Sequence, residues 1–238
     1  QLEEIYQKVC DNRPRVAHMS IVSSEITKIS LNSYVTMKIS FANTLASLCE
    51  VIPGANIDDI TNALGADRRI SPYYLKGGLS FGGPCFPRDN KAFAAFAQRY
   101  GREAWLAKAT DEVNATRITQ VVGQILPSIS DRKTVSILGL SYKPNTPVIE
   151  ESPAVKIIEE LLKKSVAVIV YDPLARKEAQ GYFGTRISYA SSIQECFNES
   201  SVAVITTQAK EFQKISEGMI THNPTTIIDC WRILDRSR

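Results

Sequence analysis

The stretch TVSILGLSYKPN, residues 134–145, decides the fold of the second half of the chain. It opens with a short run rich in β-branched residues and ends in a turn that contains glycine and proline. Alternation of such runs with helical segments is typical of a parallel sheet covered by helices. We therefore predict a Rossmann-like α/β domain. Its other runs are AVIVYD (167–172), VAVITT (202–207) and TTIIDC (225–230), and its first helix is PAVKIIEELLKK (153–164).

The first half of the chain is predicted to be helical. Ser23 or Ser24 would cap a long helix that continues to Val51, and Gly65 would stop the next one. LEEIYQKVC (2–10) has helical spacing and HMSIV (18–22) reads as a short strand, a pair too small to bury itself. We expect residues 1–23 to be the remnant of a missing N-terminal domain, 24–126 a helical central domain and 127–238 the α/β domain. The other predicted helices are 57–64, 89–100 and 103–126.

Composition excludes several classes of protein. The chain has 238 residues, 22% of them charged, and a net charge of +3, which argues against a dedicated nucleic-acid binder. No apolar run reaches the roughly 18–20 residues of a membrane span. The five cysteines form no CxxC pair, which favours a reducing cytoplasm. His18 and His222 are isolated in the sequence, so we expect no metal site.

The loop FGGPCFPRD, residues 81–89, carries the strongest signal of chemistry. Its two glycines let the backbone approach a ligand closely, and Pro87 suits the first turn of a helix. Cys85 would then lie at a helix N-terminus, where a thiolate is favoured, and Arg88 adds positive charge. Asp89 follows Cys85 by four residues and would share its face if the helix begins early. A structural cysteine in a tight turn remains the alternative on residue chemistry alone.

The long helix carries one unusual stripe of short polar side chains. Lys28 and Asn32 lie four residues apart and must project in the same direction. A cation beside an amide donor can hold an oxyanion or position a water molecule. On residue chemistry alone, a polar seam buried against a neighbouring helix is the favoured explanation of the stripe. Its members are Glu25, Lys28, Asn32, Thr36, Asn43 and Ser47.

Taken together, these segments resemble the UDP-glucose/GDP-mannose dehydrogenase family. The resemblance covers nearly the whole chain, in order and at plausible spacing, so it is more specific than any single glycine motif. The segments are SSEITKISLNSY (23–34), YYLKGGLSFGGPCFPRD (73–89), LGLSYKPNTPVIEESPA (138–154), VYDP (170–173) and IIDCWRILD (227–235).

The resemblance implies an oxidoreductase that converts the C6 alcohol of a nucleotide sugar, UDP-glucose first among them, to a carboxylate. Two NAD are used per turnover and no metal is needed. Cys85 is implied to form a thiohemiacetal and then a thioester. Lys28 and Asn32 would stabilise the oxyanion, and Asp89 would order water. Arg69 would reach the substrate across a homodimer interface formed by the central helices. The loop residues implied to hold the substrate are Tyr74, Lys76, Phe81 and Gly82.

The turn GLSYKPN (139–145) bears on which nucleotide the α/β domain binds. It lacks the GxGxxG fingerprint and keeps only Gly139, so a pyrophosphate cradle for NAD is not expected there. Family members use this domain for the nucleotide of the sugar, and Tyr142, Lys143 and Arg232 are the candidates. A surface lysine is the alternative for Lys143. Asp172 resembles the ribose-binding acid of Rossmann folds, but the missing glycines weaken that interpretation.

The sequence departs from the family in two respects. No glycine-rich NAD domain is present, so NAD would be bound mainly by an absent N-terminal domain, and we expect this chain to be a fragment that is inactive alone. Pro84 stands where a small residue such as serine is expected. Two other interpretations stay open: a nucleotide-sugar-binding module without redox chemistry, and a structural dimerisation module.

Overall fold

A computed structural model describes residues 1–129, 134–220 and 226–235. His222, and Thr225 at the start of the last predicted strand, lie outside these residues. The first half of the chain is helical, as its apolar spacing predicts. Its helices are α1 (Leu2–Val9), α2 (Ile21–Cys49), α3 (Ile57–Ala66), α4 (Phe86–Arg99) and α5 (Trp105–Ile125), and one 3-10 turn, Leu126–Ser128, follows.

The second half forms a five-stranded sheet in the order β3-β2-β1-β4-β5, with every described pairing parallel. The predicted fold class is therefore confirmed. The sequence did not indicate β3, whose two residues are too few to show a periodic pattern. The elements are β1 (Thr134–Leu138), α6 (Pro153–Lys163), β2 (Ala167–Tyr171), α7 (Arg176–Phe183), β3 (Ser188–Tyr189), α8 (Ile193–Glu199), β4 (Val202–Ile205) and β5 (Thr226–Asp229).

The strand order creates a switch point between β1 and β4. The chain crosses from β1 to β2 on one side and later returns to β4 on the other. In open parallel sheets, ligands bind outside the carboxyl ends of the strands at such a point. The turns that follow β1, β4 and β5 are therefore the segments of this domain that a ligand would meet.

The two halves of the chain share one hydrophobic core. Ile118, Val121 and Ile125 of α5 pack with the sheet and with Ile157 and Leu161 of α6. All five side chains are buried. Burial of this apolar surface fixes the helical half on the sheet half and leaves a seam between them near the switch point.

The short strand predicted in HMSIV (18–22) is wrong. Ser20 is instead the N-cap of α2, since its hydroxyl accepts a hydrogen bond from the backbone N–H of Ser23 at 3.2 Å. Ile21 and Val22 form the first turn of this helix. A serine at the cap satisfies a free N–H of the first turn and so starts the helix earlier than Ser23 or Ser24 would.

The end of α3 and the start of α4 also differ from the prediction. Gly65 does not stop α3, which continues to Ala66. This glycine serves a close approach, because a Cβ there would lie 2.9 Å from Cα of Pro72. Helix α4 begins at Phe86, earlier than the predicted residue 89, with Pro87 in its first turn. Because α4 starts this early, Cys85 and Asp89 lie one helical turn apart.

The structure contains no helix, in the three described ranges, that is long and apolar enough to cross a membrane.

The shared core gives a stability prediction. Leu161→Ala should lower the free energy of unfolding by about 2–5 kcal/mol, because Leu161 is fully buried and truncation leaves a cavity. Leu174→Ala is the matched control, since Leu174 is 52% exposed. Urea denaturation of both variants measures the difference. Equal losses in the two variants would contradict the described packing.

Candidate active site

Cys85 lies at the N-terminus of α4 as its N-cap residue. Its carbonyl accepts a hydrogen bond from the N–H of Asp89 at 2.8 Å, which closes the first turn of the helix. The Cys85 side chain is exposed and faces a cavity. A nucleophilic sulfur must be reachable by its substrate, and this position meets that condition.

Asp89 joins α4 to the polar stripe of α2. Its Oδ2 accepts a hydrogen bond from the ammonium of Lys28 and a second one, of 2.7 Å, from Nδ2 of Asn32. Arg88 adds a cation 3.5 Å from Oδ1. Lys28, Asn32 and Asp89 therefore form one cluster.

The charge state of Asp89 follows from these contacts. The hydrogen bond from Lys28 is the main cause that holds the pKa of Asp89 below its usual 3.8. Burial of the carboxylate works against this shift. The hydrogen bond from Asn32 and the charges of Lys28 and Arg88 lower the pKa further. Asp89 is therefore a carboxylate across the physiological pH range.

Buried amides fix α4 on its neighbours. Asn90 accepts a hydrogen bond from the hydroxyl of Ser33 on α2 at 2.7 Å and donates one to the carbonyl of Ala107 on α5 at 2.8 Å. The Asn90 side chain is fully buried. Because a buried amide must keep its partners, this network determines where Cys85 and Asp89 lie relative to α2.

The loop before Cys85 is fixed through its backbone. Asn114 of α5 accepts from the N–H of Phe81 at 2.7 Å and donates to its carbonyl at 3.1 Å. Gly82 lies so close to the carbonyl of Glu151 that no side chain could be placed there. Gly83 has φ +83° and donates its N–H to the carbonyl of Glu150 at 3.0 Å. The glycines thus allow the loop to contact the α/β domain.

A cavity of about 580 Å³ lies at this contact, on the carboxyl edge of the sheet. Its volume is within the range of small-ligand sites. Helix α2, the loop and the α/β domain all contribute to its walls. The lining residues are Asn32, Ile39, Tyr74, Lys76, Leu79, Ser80, Phe81, Gly82, Pro84, Cys85, Phe86, Tyr142, Lys143, Gln208 and Trp231.

Most of the residues expected to touch substrate reach this cavity. It collects the four loop residues together with Cys85, Asn32, Tyr142 and Lys143. Lys28 and Asp89 do not line the cavity. Asp89 accepts one hydrogen bond from Asn32, which does line it, and another from Lys28. Lys143 extends over the Tyr142 ring, 5.4 Å from its centroid, so its ammonium is held at the rim.

Arg69 and Arg232 do not line this cavity. Arg69 is highly exposed, and its guanidinium pairs with Asp67, with Nη2 at 2.6 Å from Oδ2. Arg232 pairs with Asp58 on α3 and borders a separate cavity. Neither arginine contacts the cavity of its own chain in this structure.

Sequence reasoning missed three residues that bear on the site. Gln208 follows β4, Trp231 follows β5, and both line the cavity. Their positions after parallel strands, beside a switch point, were the signal that could have found them. Ser80 also lines the cavity, and its buried hydroxyl has no hydrogen-bond partner within residues 1–129, 134–220 and 226–235. No feature of the sequence pointed to Ser80.

The turn after β1 does not fit the pyrophosphate of NAD. The backbone N–H groups of Leu140 and Ser141 already donate to Oδ2 of Asp172, at 2.7 and 3.3 Å. The other carboxylate oxygen of Asp172 accepts from Leu174 and Ala175, both at 2.8 Å. Asp172 therefore caps two turns of its own chain, and it is not placed as a free ribose-binding acid.

Within the described parts of the chain, no group of three or more histidine, cysteine, aspartate or glutamate side chains could hold a metal ion.

The fold and the cavity define a class: a Rossmann-like domain joined to a helical domain that presents an exposed cysteine at the seam. The chain belongs to the UDP-glucose/GDP-mannose dehydrogenase family. The model of that family's central domain matches residues 22–116, and the model of its UDP binding domain matches residues 136–236.

Individual relatives agree with this assignment. The chain is 31% identical over 231 residues to UDP-glucose 6-dehydrogenase TuaD of Bacillus subtilis, covering 95% of this chain and 49% of the relative. It is 32% identical over 218 residues to UDP-glucose 6-dehydrogenase of Rickettsia bellii, covering 90% of this chain and 50% of the relative. The chain thus spans about half the length of these relatives.

A solved structure shows the same fold. The UDP-glucose dehydrogenase of the hyperthermophilic archaeon Pyrobaculum islandicum superposes with a TM-score of 0.86 at 29% identity. The match covers 98% of this chain and 52% of that one.

The Asp89 cluster predicts a pH dependence of stability. Because the folded-state pKa of Asp89 is lowered, its stabilisation is complete above the usual carboxyl pKa and is lost as the pH falls through the folded-state value. Asp89→Asn should therefore be less stable than the wild type at neutral pH, and the gap should narrow in acid. Urea unfolding at a series of pH values tests this. Asp59→Asn, at an exposed position, is the control, and a gap independent of pH would contradict the cluster.

Proposed function

We propose that this chain supplies the substrate-binding and cysteine-bearing part of a nucleotide-sugar 6-dehydrogenase, with UDP-glucose as the first candidate substrate. One observation carries the proposal. An exposed cysteine opens into the same cavity as the turns after β1, β4 and β5, and a Lys28–Asp89–Asn32 cluster is attached to that cavity. The family and the names of the relatives support it.

Cys85 is proposed to act on the C6 aldehyde of the sugar. Its thiolate sulfur forms a bond to the carbonyl carbon, and the C=O electrons move to oxygen to give a thiohemiacetal alkoxide. Loss of hydride from C6 of that adduct, for which a bound NAD+ would be the acceptor, re-forms the C=O bond and leaves a thioester. Water then adds to the acyl carbon, the C–S bond breaks, and the products are the C6 carboxylate and the Cys85 thiolate.

Lys28 and Asn32 are proposed to stabilise the negative oxygen of these adducts. An ammonium and an amide N–H beside the cavity provide donors that need no reorganisation when charge develops. Asp89 holds both donors at one oxygen. As a carboxylate it is also able to order the water that hydrolyses the thioester.

NAD, the hydride acceptor implied by the family, is not assigned to the described residues, because the turn after β1 is filled by Asp172. We place NAD on a part of the relatives' length that this chain does not cover. The chain by itself is accordingly expected to bind substrate without turning it over.

The α/β domain is proposed to bind the UDP moiety. Tyr142 and Lys143 at the cavity rim provide an aromatic face and a cation for the nucleotide and its diphosphate. The sugar then extends along Phe81 and Gly82 towards Cys85.

All five cysteines are unpaired, which supports a reducing cytoplasmic location.

A nucleotide-sugar-binding module without redox chemistry is the second candidate. Such a module has no need for a cysteine, a lysine, an asparagine and an aspartate near one cavity, and separation of these groups would favour it. The contacts among Lys28, Asn32 and Asp89 favour the enzyme.

Dimerisation through α2 is part of the proposal. Four large apolar side chains recur at spacings of three and seven residues along one face of this helix and are exposed: Leu31, Tyr34, Phe41 and Leu48. An apolar stripe of this kind is stabilised by burial against a second copy. In such a dimer Arg69 could reach the cavity of the partner.

Cysteine labelling combined with UDP titration tests the catalytic proposal. Cys85 is exposed, whereas burial raises the pKa of the Cys196 and Cys230 thiols to about 12, so iodoacetamide should modify Cys85 first near neutral pH. Peptide mass spectrometry gives the site-specific rates. UDP-glucose should slow labelling of Cys85, because the bound substrate would occupy the cavity that the Cys85 side chain faces.

Calorimetry on variants completes this test. Cys85→Ser should bind UDP as the wild type does, while Lys143→Met should weaken UDP binding about tenfold and reduce its salt dependence. An unreactive Cys85, or labelling that UDP-glucose does not affect, would contradict the assignment of cysteine and substrate to one site.

The apolar stripe of α2 gives a prediction about assembly. Phe41→Glu should convert a dimer to a monomer, because burying an unpaired carboxylate at an apolar interface is strongly unfavourable. Leu174→Glu, at another exposed leucine, is the matched control and should leave the mass unchanged. Light scattering after size-exclusion chromatography measures the mass. A monomeric wild type would contradict the dimer.

A further inference from the structure

The turn after β5 projects two large side chains towards the helical half of the chain. Asp229 organises this turn, since its carboxylate accepts from the N–H of Trp231 at 3.1 Å and from that of Leu234 at 2.8 Å. Arg232 adopts a left-handed conformation with φ +53°. A non-glycine residue held in this conformation costs free energy and persists where the surroundings determine it.

Arg232 connects three elements. Its Nε donates to Oδ2 of Asp58 at 2.8 Å, and its Nη2 donates to Oδ1 of the same carboxylate at 2.9 Å. Nη2 also donates to the carbonyl of Gly77 at 2.8 Å. The two-point pairing with Asp58 fixes the plane of the guanidinium, and that plane aims the third bond at Gly77.

Trp231 contacts Gly78, the residue that follows Gly77. Its ring covers Gly78, where a Cβ would lie 2.5 Å from the ring carbons. The indole N–H donates to the carbonyl of Thr206 at the end of β4, at 2.8 Å. Trp231 and Arg232 together hold Gly77 and Gly78 against the α/β domain.

The helical half holds the same segment from the other side. Asn43 accepts from the N–H of Gly78 at 2.8 Å and donates to the carbonyl of Leu79 at 2.9 Å. Arg117 donates to the carbonyl of Gly78 at 2.7 Å. The glycine segment lies between Lys76 and Phe81, both of which line the cavity that contains Cys85.

We infer that Arg232 is a positioning residue, which fixes the segment from Lys76 to Leu79, and with it the substrate cavity, through Asp58 and the Gly77 carbonyl, without contacting the ligand. This inference rests on the proposed function, since it assigns a role within the same site. It replaces the expectation that Arg232 grips the nucleotide directly.

The two roles of Arg232 predict opposite effects of removing its partner. If the guanidinium bound a phosphate, Asp58→Asn would release it from a competing carboxylate, and UDP would bind equally well or more tightly. If Arg232 is a positioning residue, Asp58→Asn loosens the glycine segment and weakens UDP binding, although Asp58 does not line the cavity.

Calorimetric titration with UDP measures whether Asp58→Asn weakens or strengthens UDP binding. We expect Asp58→Asn and Arg232→Met each to weaken binding about tenfold, and the double variant to be no weaker than Arg232→Met, because both changes break one connection. Arg232→Lys should be intermediate. Asp59→Asn removes the neighbouring exposed carboxylate of α3 and should have no effect. Unchanged or tighter binding in Asp58→Asn would overturn the inference.

A readout without ligand separates this inference from the proposed function. The chain has two tryptophans, so a Trp105→Phe background leaves Trp231 as the reporter. In that background Asp58→Asn and Arg232→Met should shift Trp231 emission to the red and increase its quenching by acrylamide, and Lys143→Met should not. Unchanged emission in both Arg232-pair variants would overturn the positioning role. A wild type that binds no UDP, with the shift intact, would contradict only the proposed function.

Discussion

The site depends on one constraint: Gly78, Gly82 and Gly83 lie so close to the α/β domain that none of these positions has room for a side chain. Trp231 covers Gly78, the Glu151 carbonyl lies against Gly82, and the Tyr142 ring lies against Gly83. Any Cβ at these positions would separate the helical half from the sheet. The cavity exists because the two halves approach this closely and because the loop they enclose leads directly to Cys85.

Electrostatics then gives the cavity its chemical character. Asp89 is a buried carboxylate that is satisfied by a lysine and an asparagine from another helix, so the cost of its burial is offset by specific partners. The same bonds restrict where the ammonium of Lys28 lies. A second ion pair joins the buried Arg117 to the more exposed Glu50, with Nη2 to Oε1 at 2.6 Å, and orders the opposite side of the glycine segment. The two pairs bracket the loop that carries the cysteine.

The sequence predicted the helices and strands better than it predicted contacts between residues far apart in the chain. Period and turn residues were sufficient for β1, β2, β4, β5 and α6, because each is a local pattern. Ser20 as a helix cap was missed because Ile21 and Val22 resemble a strand when read alone. The Arg232–Asp58 pair joins residues 174 positions apart, and no local signal reveals such a contact. Helical spacing linked Lys28 to Asn32, whereas only the family resemblance linked Asp89 to that pair.

The carboxylate of Asp172 has a consequence for ligand discrimination. It sits where a Rossmann turn would receive a phosphate, and it neutralises the partial positive charge of the Leu140 and Ser141 amides. The Asp172 carboxylate would repel an incoming pyrophosphate, and the two backbone amides already donate to that carboxylate. An enzyme of the proposed kind handles two ligands that each contain a diphosphate. Because this turn is already hydrogen-bonded to Asp172, NAD is kept out of the domain proposed for UDP. The loss of the glycine fingerprint thus becomes a source of selectivity.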